Sequence, residues 1–371
     1  MEPPVFVDGR YETGLGTGFY DRLAELEKLE RLLETYTVVI VYGPRGVGKS
    51  ELLRYYATRK LRDASVVLVD ARRLRAKQVE EAAEAVIVPR EAAELARLLA
   101  ERLAREIGVF DLALAVFDTI VELYRRYRRV LIIVDEFHLL PRYSGRGVHE
   151  SIVDLEAIAG LLSKEQRYSK IRMVLTVSEG FAATSTVKAR LRGYRAAWML
   201  VEHLDRLHFE RLCLEYGERH GCRLGCCEVE ALVGGTPGYL PLLCSTTREA
   251  LEEELVRSWL LDIESALGSA VKRLGDRGGG LSIRDVLEAA YTIMSRRISP
   301  LREPSLYSVA EALVEHNIVY PLEPGGTVFR PVYPVYRVAV ELALRKGGVG
   351  PAELDPHEVY REALRRAGCR V

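Results

Sequence analysis

The stretch GPRGVGKS at residues 43–50 is the feature that most constrains the fold of this chain. It fits the pattern G-x-x-x-x-G-K-[ST] and follows five apolar residues at 38–42. The glycines let backbone N–H groups turn inward around phosphate oxygens, and the helix expected after the loop offers its positive N-terminal end to the same anion. The sequence therefore predicts an α/β fold in which a strand, a phosphate loop and a helix bind a nucleoside triphosphate.

Each residue of the loop has an expected place around that ligand. Lys49 is expected to reach the β- and γ-phosphates, and the Ser50 hydroxyl is expected to ligate Mg²⁺. No N-K-x-D string of the kind that reads guanine occurs in the sequence, which favours ATP and ADP as ligands. The predicted nucleotide-binding residues of this segment are Gly43, Pro44, Arg45, Gly46, Val47, Gly48, Lys49, Ser50 and Glu51.

A second apolar run ends in two adjacent carboxylates. Residues 129–140 read RVLIIVDEFHLL, which predicts a buried strand that ends at Asp135 and Glu136. An acid at the carboxyl end of a parallel strand beside a phosphate loop is placed to assist Mg²⁺ binding, so Asp135 is the predicted metal residue. Glu136 is expected to polarise the attacking water as a general base, which would make the chain an ATPase that hydrolyses ATP to ADP and phosphate.

Charge and hydropathy exclude some classes of protein. The chain has 53 Lys and Arg against 53 Asp and Glu, so no global field draws it to nucleic acid or to a membrane surface. No apolar run approaches the ~20 residues of a membrane span, and the first ten residues, MEPPVFVDGR, lack the pattern of a signal peptide. We therefore expect a soluble cytoplasmic protein without membrane contact.

The amide and cysteine contents bear on the source and redox state of the chain. Only Gln78, Gln166 and Asn317 carry side-chain amides, and Arg far outnumbers Lys, which suggests a thermophile, although GC-rich coding also produces an arginine bias. The cysteine cluster lacks a C-x-x-C pair, so we do not expect zinc. A disulfide is conceivable in a thermophile, but free buried thiols are the default expectation. The clustered cysteines are Cys213, Cys222, Cys226 and Cys227.

The pattern of elements changes along the chain and predicts three domains. Strands alternate with helices over 1–204, as a parallel sheet core requires. Residues 205–275 are helical around the turn LVGGTPGYLP and are predicted to form a helical lid. Residues 276–371 show helices followed by a two-stranded pattern turned at Gly325-Gly326, which is the order of a winged-helix domain.

These features together resemble the archaeal ATPase family within the STAND group of AAA+-related P-loop NTPases. The segment FYDRLAELEKLERLL at 19–33 is similar to the family's entry helix, with Asp21 where the family usually has glycine. TVSEGF at 176–181 resembles its sensor strand, and GGTPG at 234–238 resembles its GxP lid signature. The resemblance covers almost the whole chain and implies an AAA+-like P-loop core, a helical lid and a winged helix.

The resemblance also implies roles for three further residues. Arg22 would lie near the adenine or ribose, Ser178 would contact the γ-phosphate or the attacking water, and Pro237 would pack on adenine. From the residues alone, Arg22 could equally be a solvated helix charge, Ser178 a helix cap and Pro237 a helix-breaking turn.

An arginine cluster before the last sheet strand offers candidates for an arginine finger. Among Arg190, Arg192 and Arg195, we rank Arg195 first as a group that could stabilise transition-state charge, in cis or from a neighbouring subunit. Most arginines in so arginine-rich a chain are nevertheless solvated surface residues. The sequence does not single out one finger.

Three functions compete at this stage. The first is an ATP-dependent conformational switch in regulation or signalling, with a protein partner bound through the winged helix. The second is a DNA-binding initiator or regulator, which we favour less because the expected recognition helix at 305–315 carries Glu311 and Glu315 and no Arg or Lys. The third is a ring-forming AAA+ motor with nucleotide-dependent oligomerisation.

Overall fold

The chain folds into two compact units. The computed structural model describes residues 7–60, 64–71, 86–87, 129–139, 148–177, 191, 193–275, 282–298, 302–323 and 327–369. One unit, called here the sheet unit, comprises Arg22–Tyr42 and Lys49–Leu200. The other, called the helical unit, comprises Met1–Asp21, Gly43–Gly48 and Val201–Val371. The division into three domains at 204 and 275 stays a prediction.

The sheet unit is built on a mostly parallel sheet, as predicted. Two short strands, β1 (Val7–Asp8) and β2 (Phe19–Tyr20), come first in the chain and belong to the helical unit. The strands of the sheet unit are β3 (Val38–Tyr42), β4 (Ala64–Asp70), β5 (Val86–Ile87), β6 (Arg129–Asp135), β7 (Ile171–Thr176) and β8 (Ala196–Leu200). Their order across the sheet is β5-β4-β6-β7-β3-β8. Five strands are parallel, and only the short β5 pairs antiparallel, with β4.

Continuous apolar runs explain these strands. All five residues of β3 are buried, as expected of a strand covered on both faces. Among the described residues of this unit, the α-helices are α1 (Leu23–Thr35), α2 (Lys49–Tyr55) and α3 (Val148–Lys164). Within the segment 19–33 that resembles the entry helix, α1 begins only at Leu23, because Asp21 and Arg22 have left-handed φ angles of 56° and 71°. These angles are incompatible with a right-handed helix.

The helical unit contains the helices predicted after residue 205. They are α4 (Arg206–His220), α5 (Cys226–Val233), α6 (Leu240–Ser245) and α7 (Arg257–Gly275). A helical turn at Arg248–Ala250 and a π-helical segment at Leu251–Val256 precede α7. Among the helices that the structure describes, none is both long and apolar enough to cross a membrane.

The C-terminal part of the same unit shows helices followed by a hairpin. The elements are α8 (Ile283–Ser295), α9 (Pro304–Glu315), β9 (Val319–Pro321), β10 (Phe329–Pro331), α10 (Pro334–Arg345) and α11 (Pro356–Ala367). Strands β9 and β10 pair antiparallel. The expected turn at Gly325-Gly326 lies outside the described residues. The order of elements agrees with the sequence pattern, and the assignment as a winged helix stays a prediction.

All six cysteines form disulfide bonds, so the expectation of free thiols is wrong. The pairs are Cys213–Cys226, Cys222–Cys244 and Cys227–Cys369. Cys213–Cys226 joins α4 to α5, and Cys222–Cys244 joins the loop after α4 to α6. The third bridge closes a separation of 142 residues between α5 and Cys369, after α11. The sequence could not supply this result, because six cysteines allow about 15 pairings.

The long-range bridge is expected to stabilise the protein more than a local one. By loop entropy, removal of a bridge with a separation of 142 residues lowers the free energy of unfolding by about 5 kcal/mol, and one with a separation of 13 residues by about 3 kcal/mol. Urea unfolding of Cys227→Ser/Cys369→Ser, compared with Cys213→Ser/Cys226→Ser, measures the difference. Thiol titration of the denatured, unreduced wild type should find no reactive thiol, and six thiols would contradict the pairing.

Candidate functional site

The phosphate loop follows β3 in the chain and leads directly into Lys49, the first residue of α2. Gly43 begins the loop with a φ angle of 147°. A Cβ atom at this position would lie 2.0 Å from the carbonyl oxygen of Val201. Only glycine therefore allows the loop backbone to pass this close to the segment after β8.

The side chains of the loop divide into anchors and accessible groups. Val47 is 1% exposed and Lys49 is 7% exposed, so both are held by the fold. Pro44 is also buried, whereas Arg45 is exposed. The predicted nucleotide residues that are partly exposed are Gly46, Gly48, Ser50 and Glu51. Their individual contacts with a nucleotide stay predictions.

The GGTPG segment of the predicted lid forms a turn that contacts the phosphate loop. The backbone N–H of Gly238 donates to the carbonyl oxygen of Gly46 over 2.9 Å. A Cβ atom at Gly238 would lie 2.8 Å from the Cα atom of Gly46, so a side chain at Gly238 does not fit. Pro237 starts the helical turn Pro237–Tyr239. The sequence predicted the turn but not its contact with the loop, and the predicted contact of Pro237 with adenine is untested.

The neighbouring segment holds the lid turn from the other side. Gly235 accepts a backbone hydrogen bond from Leu204 over 2.9 Å. A Cβ atom at Gly235 would lie 1.9 Å from the carbonyl oxygen of Leu204. The Thr236 hydroxyl is buried and donates to the carbonyl oxygen of Val233 over 2.7 Å. The turn is thus fixed on both sides by backbone contacts that exclude larger residues.

In the sheet unit, the predicted acidic pair lies at the carboxyl edge of the sheet. Asp135 ends β6 and is 3% exposed. Thr176 ends the neighbouring strand β7, and its hydroxyl donates to Asp135 Oδ1 over 2.6 Å. The same hydroxyl accepts a hydrogen bond from the backbone N–H of Glu136 over 2.7 Å. One hydroxyl therefore orients both predicted residues.

The backbone at Glu136 is strained. Its φ angle is 56°, in the left-handed region that side chains other than Asn, Asp and Gly rarely occupy. Such a conformation costs about 1–2 kcal/mol and is retained where surrounding contacts over-determine it. The hydrogen bond to Thr176 is one such contact. Glu136 thus connects the end of β6 to the helical turn Phe137–Leu139 in a left-handed conformation.

Sequence reasoning missed two residues at this edge. Thr176 was read only as part of the strand, with Ser178 as the sensor candidate, and Ser178 lies outside the described residues. Asp70 ends β4 and is paired in register with Asp135 on β6. It is 4% exposed, and Arg54 of α2 lies 3.7 Å from its carboxylate. The signal for Asp70 was available, because SVVLVD is an apolar run that ends in an acid.

Arg22 is a buried ion-pair member. It is 4% exposed and its Nη1 lies 2.7 Å from Glu25 Oε1, one turn into α1. This burial excludes the solvated helix charge that the sequence left open. Its predicted place beside the adenine or ribose is untested.

Arg195 lies at the amino end of β8, one residue before the strand begins. Its exposed guanidinium donates from Nη2 to the carbonyl oxygen of Thr35, at the end of α1, over 2.6 Å. The acidic pair follows the opposite, carboxyl ends of the parallel strands. The role of Arg195 as an arginine finger, in cis or from a neighbouring subunit, stays a prediction. Arg190 and Arg192 lie outside the described residues.

A third group of polar residues lies in the helical unit at the start of α4. Asp205 caps this helix through Oδ1, which accepts from the backbone N–H of His208 over 2.9 Å. The other oxygen, Oδ2, lies 2.7 Å from His208 Nδ1, and Asp21 Oδ2 lies 3.7 Å from the same nitrogen. Burial would raise the pKa of Asp205, but the hydrogen bonds from His208 outweigh it and the pKa lies below its ordinary value.

These three side chains also have the composition of a metal site. Their donor atoms lie within 4.8 Å of one another. The 2.7 Å contact between His208 Nδ1 and Asp205 Oδ2 is, however, a hydrogen-bond distance. The proton of that bond occupies the Nδ1 lone pair that a metal would need. The group is therefore an anchor for the imidazole ring.

Comparison with known families identifies the chain. Residues 19–243, more than half of its length, match the profile of an ATPase domain found predominantly in Archaea. The chain belongs to this archaeal ATPase family. The chain is accordingly a P-loop ATPase that binds ATP and ADP, and the assignment of the phosphate loop residues as the nucleotide site stays a prediction. Comparison with curated proteins finds no match.

Solved structures agree with this fold. The Walker-type ATPase PABY2304 of Pyrococcus abyssi superposes with a TM-score of 0.53 at 19% identity, covering 87% of this chain and 96% of that one. ORC2 of Aeropyrum pernix, solved as ADPNP-ADP complexes, gives a TM-score of 0.42 at 15% identity and 97% coverage of both chains. The first likeness supports the P-loop ATPase fold, and the second is too low to carry an argument.

The Thr176 hydroxyl gives a testable prediction for this archaeal ATPase. Thr176→Val keeps the shape of the side chain but removes the donor to Asp135 and the acceptor for Glu136 N–H. We expect the free energy of unfolding to fall by about 1–3 kcal/mol, because two buried polar groups lose their partner. Urea unfolding measures the loss. Thr176→Ser retains the hydroxyl and should remain closer to wild type, and equal loss in both variants would contradict the role of the hydroxyl.

Proposed function

We propose that this archaeal ATPase is a nucleotide-dependent conformational switch, in which the lid turn responds to the phosphate loop and transmits its state to the C-terminal helices. The observation that carries the proposal is the hydrogen bond from Gly238 N–H to the carbonyl oxygen of Gly46. Gly46 belongs to the loop that wraps the phosphates. A change in its conformation on binding or loss of the γ-phosphate would act directly on the lid backbone.

An aromatic cluster supports transmission beyond the lid turn. The hydroxyl of Tyr333 donates to that of Tyr239, and the two ring centroids lie 5.0 Å apart. Tyr333 also packs on Trp259 of α7 at 5.6 Å and on Tyr336 of α10 at 4.9 Å. Tyr239 directly follows Gly238, so displacement of the turn would move a ring that contacts Tyr333, which in turn packs on residues of α7 and α10.

A second contact supports the same coupling. The segment Val201–Leu204 touches the loop at Gly43 and the lid turn at Gly235. Between these two residues, Glu202 accepts a hydrogen bond from Arg330 of β10 over 2.7 Å. His203 packs edge-on against Tyr320 of β9 with ring centroids 5.7 Å apart. The hairpin of the predicted winged helix therefore contacts the segment Val201–Leu204, which borders the phosphate loop.

The chemistry of the proposed switch is magnesium-dependent hydrolysis of ATP. Ser50 and Asp135 would hold Mg²⁺, and their hydroxyl and carboxylate oxygens are the hard donors that this ion prefers. The fixed orientation of Asp135 by Thr176 fits that role. Lys49 would neutralise charge on the transferred phosphoryl group, and Glu136 would orient the attacking water. The bound Mg²⁺ would supply further charge neutralisation at the phosphates.

The C-terminal helices favour a protein partner over DNA. Helix α9, the expected recognition helix, carries no Arg or Lys, and Glu315 is among its few exposed residues. Arg330 of the hairpin is paired with Glu202. A groove-binding helix needs exposed polar and basic side chains, so this surface suits a protein better than a phosphate backbone. The buried residues of α9 are Ser308, Val309, Ala310, Ala312, Leu313 and Val314.

Glu136→Gln tests the hydrolytic step. The variant retains the shape of the side chain but removes the base, so ATP turnover should fall by about a hundredfold or more. ATP affinity should stay within about twofold of wild type, since the phosphate loop is unchanged. Phosphate release and calorimetric binding measure the two quantities. Glu165→Gln, at an exposed position of the same unit, is the matched control. Turnover at the parent rate in Glu136→Gln would show that the base assignment is wrong.

Gly238→Ala tests the coupling between loop and lid. The added Cβ would lie 2.8 Å from Gly46 Cα and 3.0 Å from its carbonyl oxygen, so the loop must shift. Overpacking of this kind costs about 1–3 kcal/mol, and we expect ATP affinity to fall by about tenfold. Gly268→Ala is the control, because nothing lies within 4 Å of its added Cβ. Equal calorimetric affinities for both variants and the wild type would remove the proposed coupling.

A further inference from the structure

A cavity of about 230 Å³ lies in the helical unit, between α5, the segment 248–256 and α11. It is open to solvent, since the side chain of Arg248 is 59% exposed and that of His357 is 46% exposed. Tyr360 and Leu364 of α11 also line it and are buried, so they offer apolar surface at its inner side. The cavity is therefore accessible, with charged residues at its mouth and apolar ones further in.

Two connections between its walls hold the cavity in shape. The Tyr360 hydroxyl donates to Glu228 Oε1 over 3.0 Å and so joins α11 to α5. Cys227, the residue before Glu228, is disulfide-bonded to Cys369 after α11. Binding sites are usually formed in advance in this way, but drug-sized ligands need about 300–1,000 Å³. The size of this cavity suits a group as large as one side chain rather than a nucleotide.

The two acids of the lining already have cationic partners. Glu228 Oε1 accepts from Arg248 Nη2, and its Oε2 accepts from the backbone N–H of Gly225 over 2.8 Å. Glu252 is paired with His357 Nδ1. Because each carboxylate is matched by a cation of the same lining, the cavity is not a site for a positively charged ligand.

Arg361 supplies a positive charge that these pairs leave unmatched. Its side chain is exposed, and its Nε donates to the carbonyl oxygen of His357 over 3.3 Å, within the helix. In the part of the chain that the structure describes, its guanidinium forms no ion pair, so N–H donors of the fork remain open. The hydrogen bond to Glu252 raises the pKa of His357 and favours its charged form. The lining then has one cation more than it has acids.

We propose that this cavity binds a single carboxylate group, held by Arg361 at its mouth. A carboxylate matches the one excess charge and accepts two parallel hydrogen bonds from a guanidinium. A dianion would exceed that charge and meet repulsion from Glu228 and Glu252. The apolar stem of the acid packs on Tyr360 and Leu364. A small free acid and an acidic side chain of a partner protein both present this group.

Propionate, which has the end of a glutamate side chain, is the probe for the first test. Saturation-transfer NMR on the full chain, without nucleotide and at about pH 6, measures its affinity. Wild type should bind propionate with a dissociation constant of about 1 mM, and propionamide, which has the same shape without the charge, about tenfold more weakly. Arg361→Met should weaken propionate binding by about fivefold or more, because it removes the unmatched charge.

Arg257→Met is the matched control for that variant. Arg257 is also exposed and also donates from Nε to the carbonyl oxygen four residues earlier, but it does not line the cavity. It should therefore retain the wild-type affinity. Equal affinity for propionate and propionamide, or an equal loss in both arginine variants, overturns the proposal. Displacement of propionate by an equimolar amount of sulfate also overturns it, because it would show binding of any anion.

The pH dependence tests the part played by His357. Propionate stays ionised from about pH 6 upward. The pKa of His357 lies above its ordinary value of 6.5, so its positive charge is lost as pH rises through that higher pKa. Propionate affinity of the wild type should fall by about threefold or more up to about pH 9, and that of His357→Gln should not change. The same pH profile in both proteins overturns the role of His357. The charged groups around this ring are Glu228, Arg248, Glu252, Glu253, Asp355 and Arg361.

A peptide pair distinguishes the two sources of the carboxylate. Acetyl-Gly-Gly-Glu-Gly-Gly-amide is compared with its Gln counterpart and with propionate in the same NMR measurement. Tighter binding of the Glu peptide than of propionate supports an acidic side chain of a partner protein, and the reverse order supports a free acid. Equal binding of the Glu and Gln peptides excludes the protein source. No nucleotide is present, so none of these outcomes bears on the proposed switch.

Discussion

The close approach of three backbone segments around the phosphate loop is the constraint on which the helical unit depends. Gly43 lies against the carbonyl oxygen of Val201, Gly235 against that of Leu204, and Gly238 against Gly46. Each contact is too short for a Cβ atom. Because no side chain intervenes, a shift of the loop backbone cannot be absorbed by a rotamer change and must displace the neighbouring backbone. This is why we place the origin of a switch at these glycines.

The disulfide bonds determine which helices would move when the lid turn is displaced. Cys213–Cys226 and Cys222–Cys244 connect α4, α5 and α6 around the lid turn, and Cys227–Cys369 connects α5 to the end of the chain. Cross-linked helices resist local unfolding, so movement of the turn would be carried as movement of the helices together. The ring contact of Tyr239 with Tyr333 would carry the same movement further, because Tyr333 directly precedes α10.

The features that could be predicted from the sequence are local ones. The phosphate loop, the strand ending at Asp135 and the GGTPG turn are each encoded by fewer than fifteen consecutive residues, and the structure contains all three. The bridge from Thr176 to Asp135 joins residues 41 apart, and the disulfide partners are up to 142 apart. Such pairs depend on which strands and helices become neighbours, which one sequence does not specify. The role of Arg195 as an arginine finger stays a prediction for the same reason, because it depends on which groups lie near its side chain rather than on its place in the sequence.

Asp21 shows how a departure from a family pattern can preserve the local backbone conformation. The pattern that the entry helix resembles has glycine at this place, and the backbone here is left-handed, with a φ angle of 56°. Aspartate is one of the few other residues that tolerate this conformation. It therefore keeps the turn into α1 and adds a carboxylate 3.7 Å from His208 Nδ1. Asp205 and Asp21 therefore both place a carboxylate oxygen near this nitrogen and orient the ring. The aspartate at position 21 thus preserves the local turn and adds a contact to the side chains at the start of α4.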